Sequence, residues 1–234
     1  MNQKQIIVIT IFMIGCFLMT FVLFTKTSNS TTERNKRPTT KVTFTRWLPP
    51  VKTRNELPKM LDEIGLKGTG VEIGVRDGVY SEHILANWKG CEKWIAVDPW
   101  AYQKTYDDGA NADQIEQDNR HKSVVKKLSK FPQARVMRNF SIDAAKLFEN
   151  ESIDFIYVDA RHDFTSVLED LRTWWPKVRV GGVVAGHDFM NADEAGPQWK
   201  TQPDGTIDQL GRAVRAAAEE FTRSVNRQWM VCYR

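Results

Sequence analysis

Short apolar runs alternate with helical patterns of apolar and polar positions from about residue 55 to the carboxyl terminus. The runs are rich in Val, Ile and aromatic residues and have the length of strands. They predict strands at 70–75, 93–98, 135–138, 153–159, 182–187 and 227–233. The stretches between them predict helices at 55–64, 79–88, 114–129, 165–175 and 207–221. This alternation is typical of an α/β fold with a mostly parallel sheet and helices on both faces.

A different pattern opens the chain, where residues 6–25 carry no charge. At a rise of 1.5 Å per residue, a helix of this length spans about 30 Å, the thickness of a bilayer's hydrocarbon core. A cleaved secretory signal has a shorter apolar stretch, usually about 7 to 15 residues, which ends at a small-x-small site. The segment 6–25 therefore predicts a transmembrane signal anchor, preceded by a short tail of residues 1–5.

Two opposed signals bear on the orientation of this anchor. Five basic residues follow the span and only Lys4 precedes it, so the positive-inside rule places the domain in the cytosol. Three glycosylation sequons begin at Asn29, Asn139 and Asn150, and they have a use only in a secretory lumen. A short head before one anchor resembles the type II arrangement of many Golgi enzymes. We expect a single-pass type II glycoprotein with a lumenal domain in the Golgi or endoplasmic reticulum, and a cytosol-facing domain is the alternative.

A polar segment, 26–54, separates the anchor from the α/β pattern. It is rich in Ser, Thr and charged residues and contains Pro49-Pro50, so it has little apolar surface to bury. We predict that it is a flexible stem and that residues 55–234 form one domain.

Charge and cysteine content argue against several kinds of site. The net charge is only +4 and the basic residues are scattered, so no nucleic-acid partner is expected. Cys16, Cys91 and Cys232 have neither the paired spacing of a zinc site nor the density of a disulfide scaffold. Nothing in the sequence indicates an oligomeric state.

Glycines mark the junction between the strand at 70–75 and the helix that follows it. Glu72, Gly74 and Gly78 lie in VEIGVRDGVY, where glycine permits a sharp turn and the close approach of a ligand. The spacing differs from the G-x-G-x-x-G of dinucleotide-binding folds, which disfavours a pyrophosphate ligand. Asp98 ends the second strand, where a carboxylate can accept both hydroxyls of a ribose. These features favour an adenosyl ligand without a pyrophosphate; the alternative is a plain strand-to-helix turn, with Asp98 starting the next turn.

The tripeptide His-Asp-Phe occurs twice, each time after a predicted strand. It ends the segments VDARHDF at 158–164 and VVAGHDF at 183–189. Asp163 precedes a predicted helix and is expected to cap it. Phe164 and Phe189 are expected to pack in the core.

Together these features resemble class I S-adenosylmethionine-dependent methyltransferases. The resemblance is carried by Glu72-Ile73-Gly74 to Gly78, by Asp98 and by IDFIYVDARHDFTSVLEDLRTWWPKVRVGGVVAGHDF. Within this class, the chain is similar to the small-molecule and sugar O-methyltransferases of the methyltransferase domain 24 type. The resemblance covers residues 55–234 and implies a Rossmann-like sheet, mostly parallel, with an antiparallel last strand.

The resemblance also implies how the cofactor is held. Glu72, Gly74 and Gly78 would hold the methionine end of S-adenosylmethionine and the turn beneath it. Asp98 would hold the ribose, and Ser141, after the third strand, would lie near the adenine.

A second group of matching residues follows the fourth and fifth strands, which are neighbours in this fold. The resemblance implies that Asp159 and Asp188 hold a divalent ion, Mg²⁺ or Mn²⁺, and that His162 is the general base. Such an ion lowers the pKa of a bound hydroxyl, and a base removes its proton during methyl transfer. His187 stands where the family often has a carboxylate or an amide, and imidazole suits zinc, iron or manganese better than magnesium. His187 is therefore a second candidate for the base, or a residue that orients the substrate.

We predict an S-adenosylmethionine-dependent O-methyltransferase that acts on a hydroxyl of a sugar, a glycan or a small molecule. The connection 100–113 would form a lid or a wall of the substrate site. A catalytically silent domain that keeps the fold as a binding module is an alternative. An NAD-dependent oxidoreductase is a third possibility, disfavoured by the glycine spacing.

Overall fold

The computed structural model describes residues 20–25, 48–49, 51–227 and 231–232. These residues form seven strands: β1 (Thr20–Thr25), β2 (Gly68–Ile73), β3 (Cys91–Asp98), β4 (Ala134–Arg138), β5 (Ile153–Val158), β6 (Val178–His187) and β7 (Val231–Cys232). The α-helices are α1 (Leu57–Glu63), α2 (Val79–Asn87), α3 (Gln114–Leu128), α4 (Ser141–Ala145), α5 (Phe164–Trp174), α6 (Ala192–Ala195) and α7 (Val214–Ser224). Short 3₁₀ turns lie at Arg54–Glu56, Trp175–Lys177 and Pro197–Lys200.

The strands form one sheet in the order β4-β3-β2-β5-β6-β1-β7. From β4 to β6, every neighbouring pair is parallel, which confirms the predicted Rossmann-like α/β class. The chain moves outward from β2 to β3 and β4, and then returns to the other side of β2 to form β5 and β6. This reversal places a crevice beyond the carboxyl ends of β2 and β5, where open α/β sheets bind their ligands.

Helices cover the sheet on both faces, as predicted. Helices α1, α2 and α3 pack on one face through a core that includes Leu61, Ile84 and Trp94. Helices α4, α5 and α7 pack on the other face through a core that includes Leu171 and Phe221. The central strand β5 is buried at every position, because its residues contact helices on both sides.

Helix α5 begins where its sequence predicts. The side chain of Asp163 accepts a hydrogen bond from the backbone N–H of Ser166 at 3.0 Å, so the predicted cap is confirmed. Phe164 and Phe189 are buried in the core, also as predicted. The α-helix ends at Trp174, two residues before Pro176.

The antiparallel strand beside β6 differs from the prediction. The resemblance implied that the last strand is antiparallel, whereas β1 is the strand that pairs antiparallel with β6, and the last strand, β7, pairs antiparallel with β1 at the outer position. The sequence of β1, TFVLFT, consists of residues that favour strands, and β6 offers it a free row of backbone hydrogen-bonding groups. Strand β7 therefore runs in the direction of the parallel strands.

The amino-terminal predictions fall mostly outside the described residues. Of the predicted anchor 6–25, only Thr20–Thr25 is described, and it is a strand instead of the end of a helix. No helix within the described residues is both long and apolar enough to cross a membrane. Most of the predicted stem 26–54 also lies outside the described residues, but Val51 is buried in the core, so folded structure begins before residue 55.

The helix predicted at 207–221 begins seven residues later, at Val214. The preceding residues form a turn, in which the side chain of Asp208 accepts hydrogen bonds from the backbone N–H groups of Leu210 and Arg212. Gly211 has a φ of 67°, a left-handed conformation that interrupts a helix. The short helix α4 was not predicted, because five residues give too few turns for a recognisable apolar period.

A buried carboxyl group joins α5 to α4. Asp170 is 4% exposed, and it accepts a hydrogen bond from the hydroxyl of Ser141. Burial raises the pKa of Asp170 to about 7, although the bond from Ser141 acts in the opposite direction. The folded protein therefore binds a proton at Asp170 more tightly than the unfolded chain does.

We predict that Asp170→Asn makes folding stability less dependent on pH. The contribution of Asp170 is fully present below about pH 4 and is lost as the pH rises through 7, because the buried carboxyl must then ionise. In the wild type, the loss of this contribution between about pH 4 and 7 lowers the free energy of unfolding by up to about 4 kcal/mol. Urea unfolding at pH 4 to 8 should show that the Asn variant loses most of this slope.

The matched control is Asp143→Asn on α4, which removes an exposed carboxylate. It should keep the pH dependence of the wild type. Equal slopes for the wild type and Asp170→Asn would contradict the prediction.

Candidate active site

The glycine turn after β2 lies against the loop that follows β5. Gly74 has a φ of 86°, and a Cβ atom at this position would lie 2.0 Å from the carbonyl oxygen of Asp159. The backbone N–H of Asp159 donates to the carbonyl oxygen of Ile73 at 2.7 Å. Gly78, with a φ of 69°, forms the left-handed residue before α2. Both predicted glycines are thus required by the backbone, and their contact with a cofactor stays a prediction.

Glu72 points into the protein beneath this turn. It is 2% exposed and accepts a hydrogen bond from the hydroxyl of Ser81, which accepts one from Trp94 Nε1 at 2.8 Å. Burial raises the pKa of Glu72 well above its ordinary value, and the bond from Ser81 offsets only part of this effect. Glu72 therefore supports the turn through its bond with Ser81. Its contact with the methionine end of the cofactor stays a prediction.

Asp98 closes the glycine turn from the end of β3. One carboxylate oxygen accepts hydrogen bonds from the backbone N–H groups of Val75 and Arg76, both at 2.9 Å. The other accepts from the N–H of Trp100 at 2.7 Å. Burial raises the pKa of Asp98, while these backbone bonds lower it. The predicted ribose contact remains a prediction, and ribose hydroxyls would share these oxygens with the turn.

Ser141 lies beyond the end of β4, as predicted, but its hydroxyl faces α5. The oxygen donates to Asp170 and accepts from Trp174 Nε1 at 2.8 Å. The only proton of this hydroxyl is used on Asp170, so a contact with adenine, which stays a prediction, would come from the backbone, from the second lone pair of the oxygen or from a rearranged hydroxyl.

The four residues predicted after β5 and β6 do lie together. Asp159 Oδ1 is 3.8 Å from both His162 Nε2 and His187 Nδ1. Asp188 Oδ2 is 3.2 Å from His162 Nε2, and Asp188 Oδ1 is 3.0 Å from His187 Nδ1. Asp188 has a φ of 57°, an uncommon conformation for a residue with a side chain and a form of local strain found at functional sites. We call these four residues the acid–histidine cluster.

Ion pairs shift the pKa values within this cluster. Burial alone would lower the pKa of His162, but the facing carboxylates of Asp108, Asp159 and Asp188 raise it well above its usual value. Burial alone would raise the pKa of Asp188, but His162 and His187 lower it well below its usual value. The cluster therefore binds positive charge strongly.

Three members of the cluster suit a metal ion. Asp159, His162 and Asp188 each offer one ligand atom, and these atoms lie within 4.8 Å of one another. His162 Nε2 and Asp188 Oδ1 are buried, yet neither has a well-directed hydrogen bond among the described residues. Two carboxylates and an imidazole suit Mn²⁺, Fe²⁺ or Zn²⁺ better than Mg²⁺. The predicted ligands Asp159 and Asp188 are thus joined by His162, which was predicted only as a base.

Arg54 is a residue of this site that sequence reasoning missed. Its Nη1 atom lies 3.4 Å from Asp159 Oδ2, and its guanidinium lies 5.5 Å from the centre of the Tyr80 ring. Arg54 is part of the segment predicted as a stem, so no pattern linked it to a residue more than one hundred positions away.

The connection between β3 and α3 covers His162. Asp108 Oδ2 lies 3.5 Å from His162 Nδ1, and the hydroxyl of Tyr106 lies 3.4 Å from the same atom. Trp199 stacks on the other side of the imidazole, with ring centres 4.5 Å apart. A cavity of about 10 Å³ remains beside the cluster, room for about one water molecule. The connection therefore covers the cluster, a substrate would have to displace part of this cover, and the role of the connection as a lid or wall stays a prediction.

Arg161 contacts both segments that cover His162, which are the connection between β3 and α3 and the segment around Trp199. Its side chain is 11% exposed and forms a 2.8 Å ion pair with Asp163. It also donates to Gln103 Oε1 at 3.3 Å and to the carbonyl oxygens of Thr105 and Thr201 at 3.2 and 3.4 Å. These contacts join both covering segments to the loop that carries His162.

Comparison with known sequences identifies the family. A profile of a family described as a methyltransferase domain matches residues 71–189, just over half of the chain. No curated protein sequence matches the chain.

Several solved structures are similar to this chain at low identity. A protein from Corynebacterium glutamicum is 14% identical over 76% of this chain and 73% of that one, with a TM-score of 0.49. An O-methyltransferase from Bacillus cereus in complex with SAH is 13% identical over 76% and 71%, with a TM-score of 0.49. The O-methyltransferase TomG from Streptomyces achromogenes, involved in tomaymycin synthesis and solved with SAM, is 12% identical over 76% and 70%, with a TM-score of 0.49.

The family match includes the glycine turn, Asp98 and the whole acid–histidine cluster. Together with the parallel order of β4 to β6, it leads to one conclusion: the chain belongs to the methyltransferase domain family and has the Rossmann-like fold of class I methyltransferases.

Proposed function

We propose that this chain uses S-adenosylmethionine to methylate a hydroxyl group of a sugar, a glycan or a small molecule. The observation that carries the proposal is the position of the acid–histidine cluster. It lies at the carboxyl ends of β5 and β6, and the backbone contact between Gly74 and Asp159 places the glycine turn directly beside it. A cofactor over the turn would therefore present its methyl group near side chains that can accept a proton.

The cluster has the chemistry that methyl transfer to oxygen requires. An alcohol oxygen attacks the sulfonium methyl group, and the hydroxyl proton must leave during this step. His162 Nε2 faces the centre of the cluster, and the neutral ring can accept that proton. The carboxylates of Asp159 and Asp188 stabilise the imidazolium that forms, because they lie within 3.8 Å of the same nitrogen. His187, 3.0 Å from Asp188, holds that carboxylate in place or serves as an alternative base.

A divalent ion fits the same site. Asp159, Asp188 and His162 would hold it, and when bound it lowers the pKa of a coordinated hydroxyl. If His162 binds the ion, His187 becomes the better candidate for the base.

One observation favours the second candidate, a silent binding module. The carboxylates expected to contact the cofactor already have protein partners, since Glu72 bonds to Ser81 and Asp98 bonds to the turn. Neither arrangement prevents an additional hydrogen bond to the exposed side of a carboxylate. Binding and turnover must therefore be measured separately.

We also propose the lumenal, membrane-anchored placement that the sequence favours. A lumenal enzyme would meet glycan acceptors, which supports a sugar hydroxyl as the first acceptor to test. Expression of the full-length chain in eukaryotic cells should give a gel shift that a glycosidase removes, through the sequons at Asn29, Asn139 or Asn150. Complete absence of glycan would count against the lumenal placement.

We predict that the full-length chain, kept in a mild detergent, binds S-adenosylmethionine in isothermal titration calorimetry. NAD should give no heat at the same concentrations. With methyl-labelled cofactor, label should pass to at least one member of a panel of methyl glycosides, free hexoses and simple phenols such as catechol.

His162→Ala separates binding from turnover in the same assays. The variant should keep its cofactor affinity and lose about 100-fold or more in turnover, the usual contribution of a general base. Cofactor binding without transfer to any acceptor would favour the silent module. Absence of cofactor binding would reject both the enzyme and that module, and tight NAD binding would favour an oxidoreductase.

We predict that the protein binds Mn²⁺ at the cluster without any cofactor or acceptor. Electron paramagnetic resonance of free Mn²⁺ should show that Asp188→Asn weakens binding at least about tenfold, because a charged ligand is lost. The matched control is Asp193→Asn, which changes an exposed carboxylate on α6. Equal Mn²⁺ affinity in the two variants would show that Mn²⁺ does not bind at the cluster.

A further inference from the structure

We propose that Asp108 is a positioning residue that holds the imidazole of His162 with its proton on Nδ1. The proposal rests on the proposed function, in which Nε2 of His162 acts at the reacting hydroxyl or on its metal ion. Asp108 lies in the connection 99–113, more than fifty residues before His162 in sequence.

Two oxygen atoms face Nδ1 of His162. The carboxylate oxygen Oδ2 of Asp108 lies 3.5 Å away, and the hydroxyl oxygen of Tyr106 lies 3.4 Å away. The Tyr106 hydroxyl is also 3.4 Å from the carbonyl oxygen of Ala160, to which only a donor can bond. If its proton points to Ala160, the hydroxyl presents a lone pair to Nδ1. A proton on Nδ1 is then attracted to both oxygens, whereas a lone pair on Nδ1 would face the carboxylate of Asp108.

The other nitrogen of the ring has a different environment. His162 Nε2 is buried and forms no well-directed hydrogen bond among the described residues, although Asp188 Oδ2 is 3.2 Å away. When the imidazolium loses a proton, loss from Nε2 therefore breaks no well-directed hydrogen bond among the described residues, whereas loss from Nδ1 would change the contact with the Tyr106 hydroxyl. The neutral ring then has its lone pair on Nε2, directed to the space between Asp159 and Asp188. A proton acceptor and a metal ligand both need this lone pair.

Asp108 is held in place by its own backbone surroundings. Its second oxygen, Oδ1, accepts a hydrogen bond from the N–H of Ala110 at 2.8 Å, and its carbonyl oxygen accepts from the N–H of Asn111 at 2.9 Å. The carboxylate is therefore held in one position, which is what an orienting partner of histidine requires.

Trp199 restricts the remaining freedom of the ring. It stacks on the imidazole with 25° between the ring planes, so the ring cannot tilt away from Asp108 without losing this contact. The position of Nδ1 is thus fixed by Asp108, Tyr106 and Trp199. As a result, Nε2 points toward the other members of the cluster. A carboxylate that orients a functional histidine through its second nitrogen typically contributes about 10- to 100-fold to activity or metal affinity.

The test compares Asp108→Ala and Asp108→Asn with Asp107→Ala in the full-length protein. Asp107 is the adjacent carboxylate and is exposed, so it is the matched control. Nitrogen-15 NMR of histidine-labelled protein, recorded at a pH above the raised pKa of His162, reads which nitrogen carries the proton in the neutral ring. The chain contains only four histidines, and loss of one signal set in His162→Ala assigns the resonance. This readout needs neither an acceptor nor turnover.

We expect the Nδ1–H form in the wild type and in Asp107→Ala, and a mixture of both forms in Asp108→Ala. Asp108→Asn should keep the Nδ1–H form, because its amide oxygen can still accept the bond. With the acceptor that reacts fastest in the panel, kcat should fall about 10- to 100-fold in Asp108→Ala and less in Asp108→Asn. Affinity for S-adenosylmethionine should not change.

Several outcomes would overturn the proposal. They are an Nε2–H form in the wild type, an unchanged tautomer in Asp108→Ala, or equal kcat values in Asp108→Ala and Asp107→Ala. If Asp108→Ala does not fold, as judged by thermal unfolding, a wild-type tautomer and kcat in Asp108→Asn support positioning. If the wild type transfers no methyl group, the proposed function fails, while the NMR result still decides whether Asp108 orients His162.

Discussion

The contact between the backbones of Gly74 and Asp159 is the constraint on which the site depends. No side chain fits between these residues, because a Cβ on Gly74 would lie 2.0 Å from the Asp159 carbonyl oxygen. The hydrogen bond from Asp159 to Ile73 closes the same junction. As a result, the turn that would hold a cofactor and the loop that carries His162 cannot move independently. The parallel pairing of β2 with β5 gives this junction a rigid base.

The two sides of the crevice differ in how they are held. Beneath the glycine turn, Glu72 and Asp98 use their carboxylates on Ser81 and on backbone N–H groups. These bonds preorganise the turn. Over the cluster, by contrast, the cover consists of loops joined through Arg161 and Trp199. Trp100 and Trp199 anchor this cover in the two hydrophobic cores, so a substrate would have to displace the part around Tyr106 and Asp108, which lies over His162.

Electrostatics give the cluster its chemical character. Carboxylates of Asp108, Asp159 and Asp188 surround one imidazole, and His187 lies beside two of them. Such a concentration of negative charge in a largely buried site needs a compensating cation. A proton on His162, a divalent ion and the sulfonium of S-adenosylmethionine are three cations that would supply it. Methyl transfer from a sulfonium to an alcohol releases a proton, and the proposed function assigns that proton to the cluster.

The sequence by itself determined the α/β class and the approximate bounds of most helices and parallel strands, because buried strands are apolar runs. It also placed Asp159, His162, His187 and Asp188 after two predicted strands. That these strands are neighbours, so that the four residues meet, was implied by the resemblance to class I methyltransferases and by no local pattern. The tertiary structure decided which strand lies beside β6, where Asp98 and Ser141 direct their oxygens, and that Arg54 and Asp108 join the site. These features depend on contacts between residues far apart in the chain and on the direction of individual side chains. Long-range contacts and side-chain directions leave no periodic signal in one sequence, because packing in three dimensions determines which residues meet.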